Sequence, residues 1–395
     1  MHHTKLALNR MKMYKLFAVL WMFCLFGFSG AVFSQSKPAK ELLYIGTYSQ
    51  RGSQGIYVFE FDRKNNRIEL IQTVQEKESP SFLSIHPNKK RLYAVYREGL
   101  TSDSKNGTVA CFKIGEKGKL TKLNEQSSEG RGPCHVSVDP RGDFVYVSNY
   151  VDGSLAVFPV GENGQLSPAS DVIVHQGSGP NERRQRSAHM HSMVPSSNGK
   201  YVYASDLGMD AIIAYALNRD KGTLSYAEDQ YTQAKAGGGP RHFDIHPSGK
   251  YAYSVEELTS TIAAYAVDQN NGSLRLLERE RMLPDNFTAK NTAADIQVSP
   301  DGKSLYASNR GHNSLAVFAI DPERGKLDFI EHTGTQGKRP RNLLVDQKGS
   351  FVFVANRDSD NVVVFERNQN TGILEYSGEK VTVPAAVCIQ QLILR

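Results

Sequence analysis

Apolar and polar residues alternate along two short runs within GPRHFDIHPSGKYAYSVEELTSTIAAY, which spans Gly239 to Tyr265. Alternation with period two predicts strands over His242–His246 and Tyr251–Val255, and Pro-Ser-Gly-Lys between them supplies the turn. A third strand is predicted to end at Tyr265. Antiparallel neighbours place the start of one strand beside the end of the next. Arg241 and His242 therefore share an edge with Glu256 and Glu257, and that edge is the candidate working face.

The same pattern recurs along the chain. The second-strand aromatic returns as Tyr44, Tyr93, Tyr146, Tyr203, Tyr253, Tyr306 and Phe353, at intervals of 47 to 57 residues. In five units a third-strand aromatic follows 12 positions later, as Phe158, Tyr215, Tyr265, Phe318 and Phe365. Phe59 and Phe112 are the looser equivalents. Leu120, Leu166, Leu224, Leu274, Leu327 and Leu374 then mark a fourth strand. Four short strands per unit of about 50 residues describe a β-propeller blade, and seven units make seven blades. The first unit opens directly on its second strand, LLYIGTY. The C-terminal VPAAVCIQQLI has the pattern of the missing first strand, so the tail is expected to close the ring in blade one and hide two sheet edges. The fold class is all-β, a seven-bladed propeller with four-stranded blades, and a single domain is expected over 35–395.

Composition changes this picture only at the N-terminus. Lys5, Arg10, Lys12 and Lys15 precede an apolar run from Leu16 to Phe28, and small residues follow near Ser34. This reads as a secretory signal peptide over 1–34, too short in its apolar part for a comfortable membrane span. Export to the periplasm or beyond, without a stable membrane anchor, is the expectation. The chain carries a formal charge of +6, and four of those positive charges lie in the leader, so nothing points to nucleic acid. The remaining cysteines, Cys111, Cys134 and Cys388, are odd in number and lack CxxC spacing. They read as small buried residues rather than as a disulfide framework or a zinc site.

Chemistry is sought where the blades stop resembling one another. First strands start with Cys134-His135, His189-Met190-His191, Arg241-His242, Ala294-Asp295 and Arg341-Asn342. Second strands are followed by Asn149-Tyr150, Asp206-Leu207, Glu256-Glu257, Asn309-Arg310 and Asn356-Arg357. Propeller geometry brings these ends round one axis, so His189 or His191, Arg241, Glu257 and Arg310 are expected to converge. An imidazole, a carboxylate and two guanidiniums can move a proton and hold an anion. The same set also suits an internal salt-bridge network between blades. The long insertion NERRQRSAHMH carries Arg183, Arg184 and Arg186 over the same face, as an anion-gripping lid or a solvated loop. His86, Asp139, His246 and Asp346, near turn residues, read as turn and capping groups. No GxSxG elbow, phosphate loop or HExxH motif is present.

GPCHVSVDPRGDFVYVSNY, RRQRSAHMHSMVPSSNGKYVYASDLGMDAIIAY, GPRHFDIHPSGKYAYSVEEL, SPDGKSLYASNRGHNSLAVF and GKRPRNLLVDQKGSFVFVANRDSDNVVVF resemble the seven-bladed propeller lactonases. That family includes the propeller-type 6-phosphogluconolactonases and, as a relative, 3-carboxy-cis,cis-muconate cyclase. The likeness runs from about Leu42 to Val387. It implies hydrolysis of a sugar-acid lactone, without an organic cofactor, by a catalytic set of His191, Arg241, Glu257 and Arg310. The expected substrate-binding set joins Arg184, Gln185 and Asp295, which align with family positions, to His189, His242 and Asn309 at the same edge. Arg241 and Arg310 are expected to bind the anionic group and polarise the lactone carbonyl, with Glu257 or His191 activating water. The family usually has Glu where Asp295 stands, and the leader argues against a phosphorylated, cytoplasmic substrate. The rival expectations are a cyclase-like lactone reaction and a non-catalytic binding platform at the cell envelope.

Overall fold

A computed structural model describes residues 39–76, 78–97 and 106–394. The expected leader over 1–34 lies outside the described residues. Lys40–Leu394 forms one compact unit of seven four-stranded antiparallel sheets. A single 3₁₀ turn, Arg357–Ser359, is the one helical element among the described residues.

Blade one is assembled from both chain ends. Ala386–Leu394 pairs antiparallel with Lys40–Thr47, from Lys40 opposite Leu394 to Thr47 opposite Ala386. The tail thus supplies the missing first strand, as its alternation predicts, and blade one gains its innermost strand only when the last residues of the chain arrive. In blades two to seven the first strands are Pro80–Ile85, Pro133–Val138, Met190–Pro195, Pro240–Ile245, Ala293–Val298 and Pro340–Val345. First strands of neighbouring blades pack on one another, and they line the axis.

The repeated aromatics explain how blades adhere. Tyr44, Tyr93, Tyr146, Tyr203, Tyr253, Tyr306 and Phe353 are all buried between sheets. Four of the tyrosines also donate to a turn glycine carbonyl: Tyr44 to Gly118 (2.9 Å), Tyr93 to Gly164 (2.9 Å), Tyr253 to Gly325 (3.0 Å) and Tyr306 to Gly372 (2.7 Å). Each of these four rings fills the space between two blades while its hydroxyl finds a partner, which suits tyrosine to the position. These glycines are at positive φ, and a Cβ on Gly118 would lie 2.1 Å from Leu42.

Blade three departs from the sequence pattern. Leu166 forms only an isolated bridge with Val160, and the fourth strand is the short Asp171–Val174. The turn residues are structural. His86 and His246 hydrogen-bond the carbonyls of Gly142 and Gly302, both at 3.0 Å. Asp139 pairs with Arg219 at 2.6 Å, and Asp346 caps the amides of Ser350 and Phe351. Cys111, Cys134 and Cys388 are buried and free.

Candidate active site

The inner strands share one irregularity at their starts. Pro80 pairs with Tyr96 and Phe82 with Val95. Pro133 pairs with Asn149 and His135 with Ser148. Met190 pairs with Asp206 and Ser192 with Ser205, and Pro340 pairs with Asn356 and Asn342 with Ala355. The residue between each pair, Ser81, Cys134, His191 or Arg341, has no partner across the sheet. Blades five and six leave two residues unopposed, Arg241-His242 and Ala294-Asp295. Such a bulge bends the strand and re-aims its side chain. The repeated bulge is what turns the start of an inner strand into a position that can carry chemistry.

Glu257, just beyond the second strand of blade five, is the hub. Its Oε1 accepts from a terminal guanidinium nitrogen of Arg184 at 2.6 Å. Its Oε2 lies 2.8 Å from Arg310 and 3.0 Å from Nε of Arg241. The last contact is an ion pair off the line of the N–H, since Nε of Arg241 has no aligned acceptor. Arg241 also donates to the carbonyl of Ala294, and Arg310 donates to that of Ala293 at 2.7 Å. One buried carboxylate thus collects three guanidiniums, from the loop before blade four and from blades five and six.

Rings continue the cluster along the axis. His191 meets His242 edge-on at 5.3 Å between centroids, and His242 meets His135 at 5.6 Å. Tyr150 stacks on His189 at 4.5 Å and touches His191 edge-on at 5.5 Å. Nδ1 of His242 is 2.5 Å from Oδ1 of Asp295. The other Asp295 oxygen accepts from the Asn342 side chain (2.5 Å) and the Leu343 amide (2.9 Å). A carboxylate accepts, so Nδ1 carries the proton and Nε2 keeps its lone pair. That Nε2 is buried without a partner. His242, Asp295, His135 and Phe82 border an axial cavity of about 350 Å³.

The electrostatics assign charge states. Burial alone raises the Glu257 carboxyl, but Arg310, Arg241 and Arg184 overcome it and hold the group well below the usual carboxylate range. It is ionised, with both oxygens occupied. Burial, reinforced by Arg241, His242 and Arg341, keeps His191 well below its ordinary value, so its imidazole is neutral near pH 7. Burial and Arg241 outweigh Asp295 at His242 and bring it down to about 4.

The expected site residues divide accordingly. His191, Arg241, Glu257, Arg310 and Arg184 come together, with His242 and His189 beside them. His189 is half-buried and holds the Tyr150 carbonyl through Nδ1 at 2.9 Å. Arg183 and Arg186 stay exposed, so only Arg184 of the insertion reaches in. Three of the expected substrate-binding residues are also engaged within the fold. Gln185 is fully buried and fastens the insertion to the Leu207 carbonyl (2.8 Å) and Asp210 (2.6 Å). Asn309 is also fully buried and donates to the Met282 carbonyl at 2.8 Å. Asp295 spends both oxygens on His242, Asn342 and Leu343, which makes it a positioning group. All three are saturated by the fold itself.

Tyr48 and Arg97 escaped the sequence reading, and Arg341 was noted at a first-strand start but left out of the expected set. Tyr48 follows the second strand of blade one and Arg97 that of blade two, at the place Glu257 holds in blade five. Arg341 occupies the blade-seven position that Arg241 holds in blade five. Arg97 donates to the Tyr48 hydroxyl at 2.8 Å, and Arg341 lies over the same ring at 5.3 Å. The signal was positional equivalence, weakest in the first two units.

Comparison with known proteins agrees with this architecture. A family profile described as lactonase, 7-bladed beta-propeller, matches residues 42–391. A 6-phosphogluconolactonase of Bacillus subtilis strain 168 is 36% identical over 359 residues, covering 89% of this chain and 99% of its own length. One from Formosa agariphila is 36% identical over 358 residues, covering 88% and 98%. The solved structure of a periplasmic gluconolactonase from Pseudomonas aeruginosa superposes with a TM-score of 0.85 at 30% identity, covering 90% of this chain and all of that one. The chain belongs to the seven-bladed β-propeller lactonases, a family of lactone-opening hydrolases.

Proposed function

We propose that the protein hydrolyses a sugar-acid lactone at the cluster around Glu257, outside the cytoplasm. The observation that carries this reading is the buried carboxylate shared by Arg184, Arg241 and Arg310 next to a neutral His191. Three guanidiniums and one carboxylate leave a net positive field fixed in place. Preorganised positive charge facing a developing oxyanion is often the largest catalytic contribution. Arg241 and Arg310 polarise the lactone carbonyl, and Glu257 sets their positions. With its oxygens occupied and its proton affinity suppressed, Glu257 is a poor base, which favours the neutral His191. Water adds to the carbonyl carbon as His191 takes its proton. The ring C–O bond then breaks, and the proton passes to the departing ring oxygen to give an open hydroxy acid.

The basic, apolar leader supports export, as does the likeness to a protein described as periplasmic. Named 6-phosphogluconolactonase relatives support the sugar-acid class without fixing whether this substrate carries phosphate. Acid release from gluconolactone, its 6-phosphorylated form and a muconolactone, followed by pH-stat against spontaneous opening, is the test. Turnover of a gluconolactone well above the uncatalysed rate is expected. A rate equal to the blank for every lactone would leave the binding-platform alternative.

A further inference from the structure

Three residues from other blades than the Glu257 hub make a second cluster. Tyr48, Arg97 and Arg341 belong to blades one, two and seven, which adjoin in the ring and face blades four and five. With Gln50, Ser79 and Arg357 they line a cavity of about 160 Å³. Both guanidiniums lie over one ring, Arg97 at 5.6 Å and Arg341 at 5.3 Å from the Tyr48 centroid.

What sets this cluster apart is that its guanidiniums share no carboxylate among the described residues. Among the described residues, no carboxylate forms an ion pair with Arg97 or Arg341, whereas Arg184, Arg241 and Arg310 share Glu257 and Arg357 pairs with Asp358. Nε of Arg97 is buried with no acceptor. The Tyr48 hydroxyl accepts from Arg97, which leaves its own proton to donate. Burial brings Arg341 down to about 9, with Arg241, Arg310 and Arg97 adding repulsion against the help of Tyr48. Both side chains are half-buried; a cation partly withdrawn from water without a partner is costly, and a ligand that brings negative charge offsets that cost. An oxyanion in this cavity meets two guanidiniums and a phenol, which are strong, charge-assisted donors.

We infer that Tyr48, Arg97 and Arg341 form a second anion subsite, which holds a phosphate or carboxylate substituent of the lactone substrate away from the carbonyl that reacts. The identity of the rest of the ligand rests on the lactonase reading above; the subsite itself does not. Dividing the labour this way frees Arg241 and Arg310 from binding the charged substituent, so that they act on the carbonyl alone.

The test joins binding to selectivity on the full-length protein. Inorganic phosphate is titrated by calorimetry into wild type, Arg341→Gln and Arg97→Gln. The ratio of kcat/KM for 6-phosphorylated or carboxylate-bearing lactones over plain gluconolactone is measured in parallel. Hydrogen bonds to charged groups imply a loss of about tenfold to a hundredfold in phosphate affinity. The selectivity ratio is expected to fall by a similar factor, with Arg341→Lys recovering part of it. The arm with the larger ratio in wild type tells phosphate from carboxylate. If Arg341→Gln does not fold, Tyr48→Phe, which removes the hydroxyl alone, gives the same readout. Phosphate affinity and selectivity unchanged in the folded variants overturn the subsite, even where lactone turnover stands. Phosphate binding that depends on Arg341, in a protein that opens no lactone, supports the subsite and removes the hydrolase reading.

Discussion

Replacing Glu257 with glutamine keeps the shape of the hub and removes its charge. Arg184, Arg241 and Arg310 are then left facing one another in a buried site. Deleting one partner of a buried ion pair costs about 3–5 kcal/mol. At about 2.1 cal/mol/K per residue, the roughly 350 residues from Lys40 to Leu394 unfold with an entropy near 0.7 kcal/mol/K. The substitution is therefore expected to lower Tm by about 4–7 °C. The effect depends on pH in a definite sense. The folded pKa of Glu257 lies well below its ordinary 4.5, so its stabilisation is complete above about pH 4.5 and fades as the pH falls toward the folded value. The gap in Tm between wild type and Glu257→Gln should be constant near neutrality and close in acid. Turnover per folded molecule should fall with it, because the arginines lose their fixed positions. Calorimetric melts from pH 3 to 8 and lactone turnover on the same preparations supply both quantities. A variant that melts with wild type at pH 7, or one that melts lower at every pH by the same amount, refutes the hub.

Two further perturbations test the frame around the site. A chain ending at Thr382 lacks the inner strand of blade one and should lose its cooperative melt, whereas an unchanged Tm would contradict ring closure by the tail. His242 is buried neutral, with a pKa of about 4 against an ordinary 6.5. The unfolded chain therefore binds the extra proton, and stability should drop by roughly 3 kcal/mol as pH falls from 6.5 to 4. His242→Gln should flatten that stretch of the stability curve, and an equal slope in both proteins would show that the imidazole is not buried neutral.

Much of this was legible in the residues. The blade aromatics repeat because every sheet must present a large ring to its neighbour, so Tyr44 to Phe353 announced seven blades and the tail pattern announced the closure. The catalytic candidates were legible for the opposite reason, since Arg241, Glu257 and Arg310 break the repeat at one edge. Asn309 follows a different logic. It does repeat, as Asn149 and Asn356, and each donates to a backbone carbonyl, Ser128, Met282 or Thr335, at the end of the fourth strand. A residue that recurs in three blades serves the blade. Gln185 sat in a motif with Arg184, but adjacent residues point apart: one reaches Glu257 and the other anchors the insertion. Arg97 and Tyr48 were hidden because the first two units are the least regular. Which guanidiniums share a carboxylate depends on distances across the ring, and no linear spacing encodes those.

The central claim, that lactone opening occurs where Arg241 and its neighbours converge on Glu257, is tested most directly by Arg241→Ala. Its kcat/KM for gluconolactone should be compared with wild type per folded molecule. Loss of one preorganised donor to the oxyanion predicts a fall of about a hundredfold or more, with the circular dichroism of the propeller retained. A folded Arg241→Ala protein that opens the lactone as fast as wild type would contradict the account.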